Sequence, residues 1–330
     1  MSDRRSKRLT IMLLFLIAIV AVVATPFAIG KSAGLHVFFK RMHLRDPIQA
    51  DTQYLYNVAI ATVFQQEAPY LKEWIEYHKL IGVQHFYLLN NQSSDDYLTV
   101  LEPYIAKGDV ELIQWPHQPI DYLNWVRIQN EGLEYAIQLA NGKAKWLAII
   151  DADEYIVPAH HDNLSDFLKD YEPFGSVSIN WQMYGTSNVA LIPKDKLLIE
   201  VLIMKALQDN KTNRHVKSIV RPETVACCNN PHFVVHKFGY QQVDANKKPL
   251  KGPTSSEPLI DKIRINHYWA RDEHYFYGVK LARQTVWGYG GMHVNDNVLR
   301  ELNAVPDETI LHFVPGLKKQ MGEPNAPPKL

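Results

Sequence analysis

The sequence has very little cysteine: its 330 residues include only Cys227 and Cys228, which are adjacent. This argues against a disulfide framework and against a cysteine-based zinc site, because each needs several cysteines at characteristic spacings. An excess of either charge is also absent, since Lys plus Arg and Asp plus Glu both total 35. The balance argues against a nucleic-acid-binding protein that works through a broad basic surface, and we expect no nucleic-acid partner.

Residues 9–30 form a long apolar run without a charged residue. At about 1.5 Å per residue, a helix of this length crosses a hydrocarbon core of about 30 Å. A cleaved signal peptide is the alternative, but its apolar region usually has about 7–15 residues, so we favour an uncleaved anchor in a lipid bilayer. Basic residues are equally numerous before and after the run, so their balance does not fix the orientation. The tight basic cluster before the run favours a cytosolic N-terminus.

The segments from residue 55 onward predict an α/β fold. From residue 55, β-branched apolar runs alternate with segments whose apolar residues recur at helical spacing. Some runs are apolar at every position, such as WLAII at 146–150, which is typical of parallel strands covered on both faces. We therefore predict a mostly parallel central sheet with helices on both faces.

The second half of the chain is less regular, and its predicted strands include LLIEVLIM at 197–204. A helix is expected near Tyr275–Trp287. Because no obvious linker divides the region and about 260 residues suit one α/β body, we predict a single large domain. The predicted organisation is a basic tail, an anchor, a stem, this domain and a flexible tail, in residues 1–8, 9–30, 31–54, 55–315 and 316–330.

The main chemical signal is Asp151-Ala152-Asp153-Glu154, which directly follows an apolar strand. In open α/β sheets, ligands bind at the carboxyl ends of strands. On an extended chain the side chains of Asp151 and Asp153 point the same way, and together they suit a hard divalent cation. Two carboxylates at such a short separation repel each other unless a cation or a proton lies between them. An acidic turn without a ligand is the alternative interpretation.

Five blocks of the sequence, in order, resemble glycosyltransferase family 92. They are ATVFQQEAPYLKEWIEYHKLIGVQHFYLLNNQSSDD, WLAIIDADEYIVP, INWQMYGTS, KSIVRPETV and INHYWARDEHYF. The resemblance implies a GT-A fold, related to that of family 2-like glycosyltransferases, and inversion at the anomeric carbon. It also implies a nucleotide-sugar donor, mostly UDP-galactose in characterised members, and usually Mn²⁺, with Mg²⁺ as the alternative. Gln66-Glu67 departs from the family pattern, in which Asn-Glu is expected.

On this resemblance, Asp153 is expected to be the principal metal ligand, and Asp151 to bind the metal, the donor ribose or both. GT-A enzymes often take a further metal ligand from a late histidine, and His267 matches that position. A structural histidine in a strand is the alternative for His267. When the donor bond breaks, the cation would stabilise the charge on the diphosphate as a Lewis acid.

Four further side chains are expected to bind the donor. Glu67 and Asn91, at the ends of the first two strands, are placed to contact the nucleoside, with helix capping as the alternative. Lys217 and Arg221, in the block KSIVRP, are candidates to neutralise the diphosphate, with surface or packing roles as the alternative.

Inversion requires one base that takes the proton from the acceptor hydroxyl. Glu273 and Asp272 are the candidates, and we favour Glu273; pairing with the neighbouring Arg271 is the alternative for both. Aromatic rings that could cover the sugar, or simply pack in the core, are Trp181, Tyr184 and Trp269.

The sequence therefore predicts a membrane-anchored glycosyltransferase that acts on a glycan or glycoconjugate acceptor. Two alternatives are a metal-dependent nucleotidyltransferase, which would not require the late NHYW block, and a catalytically inactive carbohydrate-binding membrane protein. For localisation, a single-pass Golgi type II protein is favoured, while a bacterial inner-membrane or a viral protein stays open.

Overall fold

The structure is a computed structural model that describes residues 37, 41, 52–282 and 296–322. The predicted membrane anchor at 9–30 lies outside these residues. Among the residues that the structure describes, no helix is both long and apolar enough to cross a membrane.

The first half of the domain alternates strands with helices, as predicted. Its elements are β1 (Tyr56–Phe64), α1 (Ala68–Leu80), β2 (His85–Asn90), α2 (Tyr97–Lys107), β3 (Val110–Gln114), α3 (Tyr122–Ala140) and β4 (Ala144–Ile149). The four strands are parallel and lie in the order β3-β2-β1-β4. Pro69 lies in the first turn of α1, where its missing N–H costs no hydrogen bond.

The second half extends the same sheet with shorter and more irregular elements. They are β5 (Glu154–Pro158), α4 (Leu164–Leu168), β6 (Ser176–Met183), α5 (Leu198–Val201), β7 (Met204–Lys205), β8 (Val216–Val220), β9 (Val225–Asn230), β10 (Phe233–His236), β11 (Gln242–Val243), β12 (Ile263–His267), α6 (Glu273–Tyr275), α7 (Asp296–Leu302), β13 (Val305–Pro306) and α8 (Val314–Gln320). Short 3₁₀ turns occur at Lys169–Tyr171, Lys211–Arg214, Pro222–Thr224 and Thr309–Phe313, and a π-helical turn at Phe276–Lys280.

The sheet continues in the order β4-β8-β6-β12-β5, with β11 beside β6. Strand β8 is antiparallel to both β4 and β6, and β5 is antiparallel to β12. The sheet is therefore mixed: seven of its nine strands run in one direction, which agrees with the predicted mostly parallel sheet, and β8 and β5 run opposite to them. Apolarity on both faces shows that a strand is covered, but it carries no information on strand direction.

Apolar side chains pack on both faces of the sheet. Along β1, Val58 and Ile60 belong to the core that α1 covers, whereas Ala59 and Ala61 belong to the core that α3 covers. This alternation follows from the pleat of a strand, whose successive side chains point to opposite faces. It confirms the predicted layer of helices on each face.

Three of the predicted segments differ in the structure in type or in bounds. Residues 197–204 contain the short helix α5 instead of a continuous strand, because the buried carboxylate of Glu73 accepts hydrogen bonds from the N–H groups of Leu198 and Ile199. The predicted flexible tail overlaps α8, whose Leu317 is buried in the core. The helix expected near Tyr275–Trp287 begins at Glu273, and residues 283–287 lie outside the described part.

Asp307 holds the C-terminal segment on the sheet. Its Oδ1 accepts a hydrogen bond of 2.8 Å from Nη2 of Arg264 in β12, and its Oδ2 pairs with the ammonium group of Lys205 in β7. Both carboxylate oxygens are thus used in a buried ion-pair network. Burial would raise the pKa of Asp307, but Arg264 and Lys205 hold it well below its usual range.

We expect Asp307→Asn to lower the free energy of unfolding at pH 7 by about 3 kcal/mol, because Arg264 and Lys205 then stay buried without their counter-charge. The folded pKa of Asp307 is depressed, so the stabilisation is present above the unfolded pKa of about 3.9 and is lost as the pH falls through the folded pKa. Urea denaturation should therefore show a smaller difference at pH 3 than at pH 7. As a control, Asp166→Asn removes an exposed pair with Lys169 and should leave the urea midpoint unchanged. An unchanged midpoint for Asp307→Asn at pH 7 would contradict the role of Asp307.

Candidate functional site

The strands bring the predicted motif to one edge of the sheet. Strands β1, β4, β6 and β12 end at this edge, and the antiparallel strands β8 and β5 begin there. A cavity of about 330 Å³ opens at this edge. Side chains of these strand ends that line it include Glu67, Asp151, Asp153, Trp181 and His267. Asp151 and Asp153 therefore lie at the carboxyl end of β4, as the sequence predicted.

Asp151 is held from two sides. Its Oδ1 accepts a hydrogen bond of 2.9 Å from Nε2 of Gln129 in α3, and its Oδ2 accepts one of 2.7 Å from Nζ of Lys217 in β8. The side chain of Lys217 is only 1% exposed, whereas that of Asp151 is 31% exposed toward the cavity. Burial would lower the pKa of Lys217, but Asp151 and Glu154 raise it, so this ammonium group stays charged.

Asp153 divides its two oxygens between a histidine and a lysine. Its Oδ1 lies 3.3 Å from Nε2 of His267, and its Oδ2 accepts a hydrogen bond of 3.2 Å from Nζ of Lys280. Burial alone would raise the pKa of Asp153, but Lys280 and His267 hold it well below its usual range. Asp153 is therefore an ionised carboxylate at the wall of the cavity.

Glu154 lies behind His267 and faces its other ring nitrogen. The two residues are paired in the β5–β12 ladder, with Nδ1 of His267 3.9 Å from Oε1 of Glu154. Both atoms are buried and make no hydrogen bond within the described part of the chain. Burial raises the pKa of Glu154 well above its usual range, although Lys217, whose Nζ is 3.7 Å from Oε2, opposes this shift.

Glu67 and Arg271 join the end of β1 to the block that follows β12. Arg271 is fully buried, pairs with the carboxylate of Glu67 and lies 3.8 Å from the ring centroid of Tyr70 and 4.5 Å from that of Tyr275. Its φ of +53° is in the left-handed region, which a non-glycine residue adopts at some cost, so its surroundings must fix it there. Burial raises the pKa of Glu67, and Arg271 opposes the shift.

The chemistry of Asp153 and His267 fits a divalent cation. Carboxylate oxygen and imidazole nitrogen are ligands that Mn²⁺ accepts, and Glu154 lies on the side of His267 where a metal-bound histidine usually has a polar partner. Mg²⁺ is commonly held by one or two carboxylates plus substrate phosphates. Within the described ranges, no group of three or more His, Cys, Asp or Glu side chains gathers as in an all-protein metal site. Of the three predicted ligands, the structure brings Asp153 and His267 together and ties Asp151 to Lys217.

Two of the four side chains predicted to contact the donor, Asn91 and Arg221, do not line this cavity. Asn91 is fully buried, and its Nδ2 donates to the carbonyl oxygens of Trp115 and His117 at 2.9 and 2.8 Å, so it joins β2 to the loop after β3. Arg221 lies at the opposite edge of the sheet, beyond the far end of β8, where it pairs with Glu223. Glu67 lines the cavity and Lys217 borders it through Asp151.

The predicted bases are also placed differently. Asp272 is buried, and its oxygens accept hydrogen bonds from the N–H groups of Tyr275 and Ile192 at 2.8 and 2.9 Å, so it caps α6 and holds a loop. Glu273 lines a separate cavity of about 300 Å³ together with Asn188 and Arg300. Neither carboxylate lines the cavity that contains Asp153.

From this placement, we expect Glu273→Gln to lower donor turnover less than about tenfold, which is less than the loss of a general base usually causes. Initial rates of UDP-sugar hydrolysis for the wild-type and variant proteins measure the effect. A loss of 100-fold or more in the variant would restore Glu273 as the base.

Trp181 and Trp269 line the cavity, whereas Tyr184 is fully buried and its hydroxyl accepts a hydrogen bond from Arg264. Sequence reasoning missed the face of α3 that closes the cavity. Asp121 caps this helix by accepting a hydrogen bond from the N–H of Asn124. Helical spacing could have identified the residues on that face, which are Tyr122, Trp125 and Gln129. Lys280 was also missed, and no local pattern marks it.

Comparison with known proteins places the chain in a family. The sequence profile of glycosyltransferase family 92 matches residues 56–254, which is more than half of the chain. A family 92 protein of Ricinus communis is 28% identical over 199 residues, which cover 58% of this chain and 34% of that protein. The chain spans about a third of the length of the curated relatives it matches. The chain belongs to glycosyltransferase family 92, which confirms the resemblance found in its sequence blocks.

Two solved structures show a weak likeness. S. aureus TarS (residues 1–349) in complex with UDP is 12% identical with a TM-score of 0.32, over 51% of this chain and 47% of that chain. Glucosyl-3-phosphoglycerate synthase from Mycobacterium tuberculosis, in complex with Mn²⁺, UDP and glucosyl-3-phosphoglycerate, is 14% identical with a TM-score of 0.30, over 52% of this chain and 58% of that chain. At these TM-scores, neither likeness supports an argument about the fold or the ligands of this chain.

Proposed function

We propose that this chain is a metal-dependent, inverting glycosyltransferase of the GT-A type. It transfers a hexose, with galactose favoured, from a UDP-sugar to a glycan or glycoconjugate acceptor. The observation that carries the proposal is the meeting of Asp151, Asp153 and His267 at one cavity, at the strand edge where α/β proteins bind ligands. Family membership supports the same reaction class.

In this proposal, Asp153 and His267 hold the cation, and the carboxyl group of Glu154 faces the other ring nitrogen of His267 at 3.9 Å. A divalent cation held there supplies Lewis-acid stabilisation of the negative charge on the leaving diphosphate. Lys217 and Gln129 fix the carboxylate of Asp151, so that it is oriented toward a donor hydroxyl or the cation before the donor binds. Such preorganisation avoids the cost of ordering these side chains during the reaction.

The remaining walls of the cavity suit a sugar nucleotide. Trp181 and Trp269 present flat rings that can cover the C–H groups of a hexose. Tyr122 and Trp125 of α3 also line the cavity. Glu67, near the end of β1, offers carboxylate oxygens to nucleoside hydroxyls while Arg271 holds it in place.

A donor panel tests the proposed function. UDP- and GDP-hexoses would be incubated with the full chain, Mn²⁺ and a panel of glycan acceptors, and the products analysed by mass spectrometry and NMR. We expect transfer from a UDP-hexose, with UDP-galactose preferred, and a product of inverted anomeric configuration. Absence of transfer and of hydrolysis with every donor would overturn the proposal, and a retained anomeric configuration would overturn the inverting mechanism alone.

We also propose that residues 9–30 anchor the protein in a membrane, in a Golgi type II arrangement. The support is the uncharged apolar run, which is long enough to span the hydrocarbon core. Sodium carbonate extraction of the full chain should leave it in the membrane pellet. Recovery of the full chain in the supernatant would refute the anchor.

A further inference from the structure

The ammonium group of Lys280 contacts the carboxylate of Asp153, which is proposed to hold the cation. It ends the π-helical turn that follows α6, and its Nζ lies 3.2 Å from Oδ2 of Asp153. The side chain is buried and lines the cavity, with Nζ 5.2 Å from the ring centroid of Trp269 and 5.7 Å from that of Tyr275. These rings and the Asp153 carboxylate hold the charged group at the wall of the cavity.

The position of Lys280 has opposite consequences for the two ligands of the site. A divalent cation on Asp153 and His267 would lie close to the ammonium group, and like charges at short range in a partly buried site repel strongly. A nucleoside diphosphate is negative, and lysine is a common ligand of phosphate groups. Lys280 thus disfavours binding of the cation alone, but it does not disfavour binding of the cation together with the diphosphate.

Lys217 differs from Lys280 although both are buried beside a carboxylate of the motif. Its Nζ donates to Asp151 at 2.7 Å and lies 3.7 Å from Glu154, and its side chain does not line the cavity. Lys217 therefore supports the acidic motif from behind. Lys280 is the lysine that approaches Asp153 from the cavity side.

We propose that Lys280 is a donor-binding residue that competes with the divalent cation for Asp153 in the free protein. When cation and donor bind together, its ammonium group moves from Asp153 to the diphosphate. This inference rests on the proposed function. It implies that cation and nucleotide strengthen each other's binding, and this coupling is necessarily reciprocal.

Direct binding of Mn²⁺ tests the competition without any measurement of activity. Free Mn²⁺ would be followed by electron paramagnetic resonance during titration of the full chain, with and without UDP. We expect Lys280→Met to bind Mn²⁺ at least about tenfold more tightly than the wild type when UDP is absent, which corresponds to about 1.4 kcal/mol. With saturating Mn²⁺, the same variant should bind UDP about tenfold more weakly. Lys280→Gln keeps a polar side chain and should shift both affinities in the same directions.

The control and the outcomes separate this inference from the proposed function. Lys143→Met changes an exposed lysine of the loop before β4 and should match the wild type in both titrations. If the wild type binds Mn²⁺ and UDP but neither Lys280 variant binds Mn²⁺ more tightly, the competition is wrong and the proposed function stands. If the wild type binds neither Mn²⁺ nor UDP, the proposed function fails, and this inference fails with it.

Discussion

Replacement of Asp153 by Asn should lower donor turnover at least about 100-fold. The change keeps the shape of the side chain but removes the negative charge that contacts His267 and Lys280 at the wall of the cavity. In a metal-assisted step the cation lowers the activation free energy by several kcal/mol. Each 1.4 kcal/mol of activation free energy corresponds to a factor of ten in rate. Initial rates of UDP-sugar hydrolysis with Mn²⁺ measure the loss. Turnover within threefold of the wild type would contradict the assignment of Asp153.

Loss of folding could imitate this result, because Asp153→Asn also leaves the buried Lys280 without its carboxylate. The double variant Asp153→Asn/Lys280→Met removes both charges and should recover the thermal stability that the single variant loses. Its activity should stay as low as that of Asp153→Asn. A double variant that recovers activity together with stability would show that Asp153 has only a structural role.

Replacement of Lys217 by Met should lower the free energy of unfolding by about 3–5 kcal/mol at pH 7. Lys217 is almost fully buried between Asp151 and Glu154, and Glu154 is completely buried. Removing one partner of a buried ion pair is strongly destabilising, since the other partner keeps its desolvation cost without the compensating charge. Urea denaturation followed by circular dichroism measures the change.

A second substitution isolates the cause. Lys217→Met/Glu154→Gln also removes the buried carboxyl group that Lys217→Met leaves without its partner, and it should recover part of the stability that Lys217→Met loses. Lys169→Met, an exposed lysine of a 3₁₀ turn, should leave the urea midpoint unchanged. If Lys217→Met has the same midpoint as the wild type, the buried pair does not support the acidic motif.

The sequence predicted the edge of the sheet that carries the site. Asp151 and Asp153 follow an apolar strand in the sequence, so they must lie at the carboxyl end of that strand. Strand direction relative to neighbouring strands was not predictable. KSIVRP contains both Lys217 and Arg221, and only the antiparallel pairing of β8 with β4 shows which one lies beside Asp151. For the same reason, the reversed direction of β8 and β5 within a mostly parallel sheet was not predicted.

Roles that depend on tertiary contacts were also beyond the sequence. Asn91 and Glu67 both follow a strand, but in the structure the amide of Asn91 bonds to the loop after β3, while Glu67 faces the cavity. Asp272 and Glu273 lie within the late block INHYWARDEHYF and were the candidate bases, yet the start of α6 uses Asp272 as its cap. Lys280 reaches Asp153 only through the turn that follows α6, which no spacing rule predicts.

The affinity for UDP with and without Mn²⁺ is the most direct measure of whether Asp153 and His267 hold a cation for the donor. Isothermal titration of the full chain with UDP should give at least about tenfold tighter binding in Mn²⁺ than in EDTA. His267→Ala should lose most of that difference, since it removes one of the two side chains assigned to the cation. Equal UDP affinity in Mn²⁺ and in EDTA for the wild-type protein would contradict the metal-dependent site.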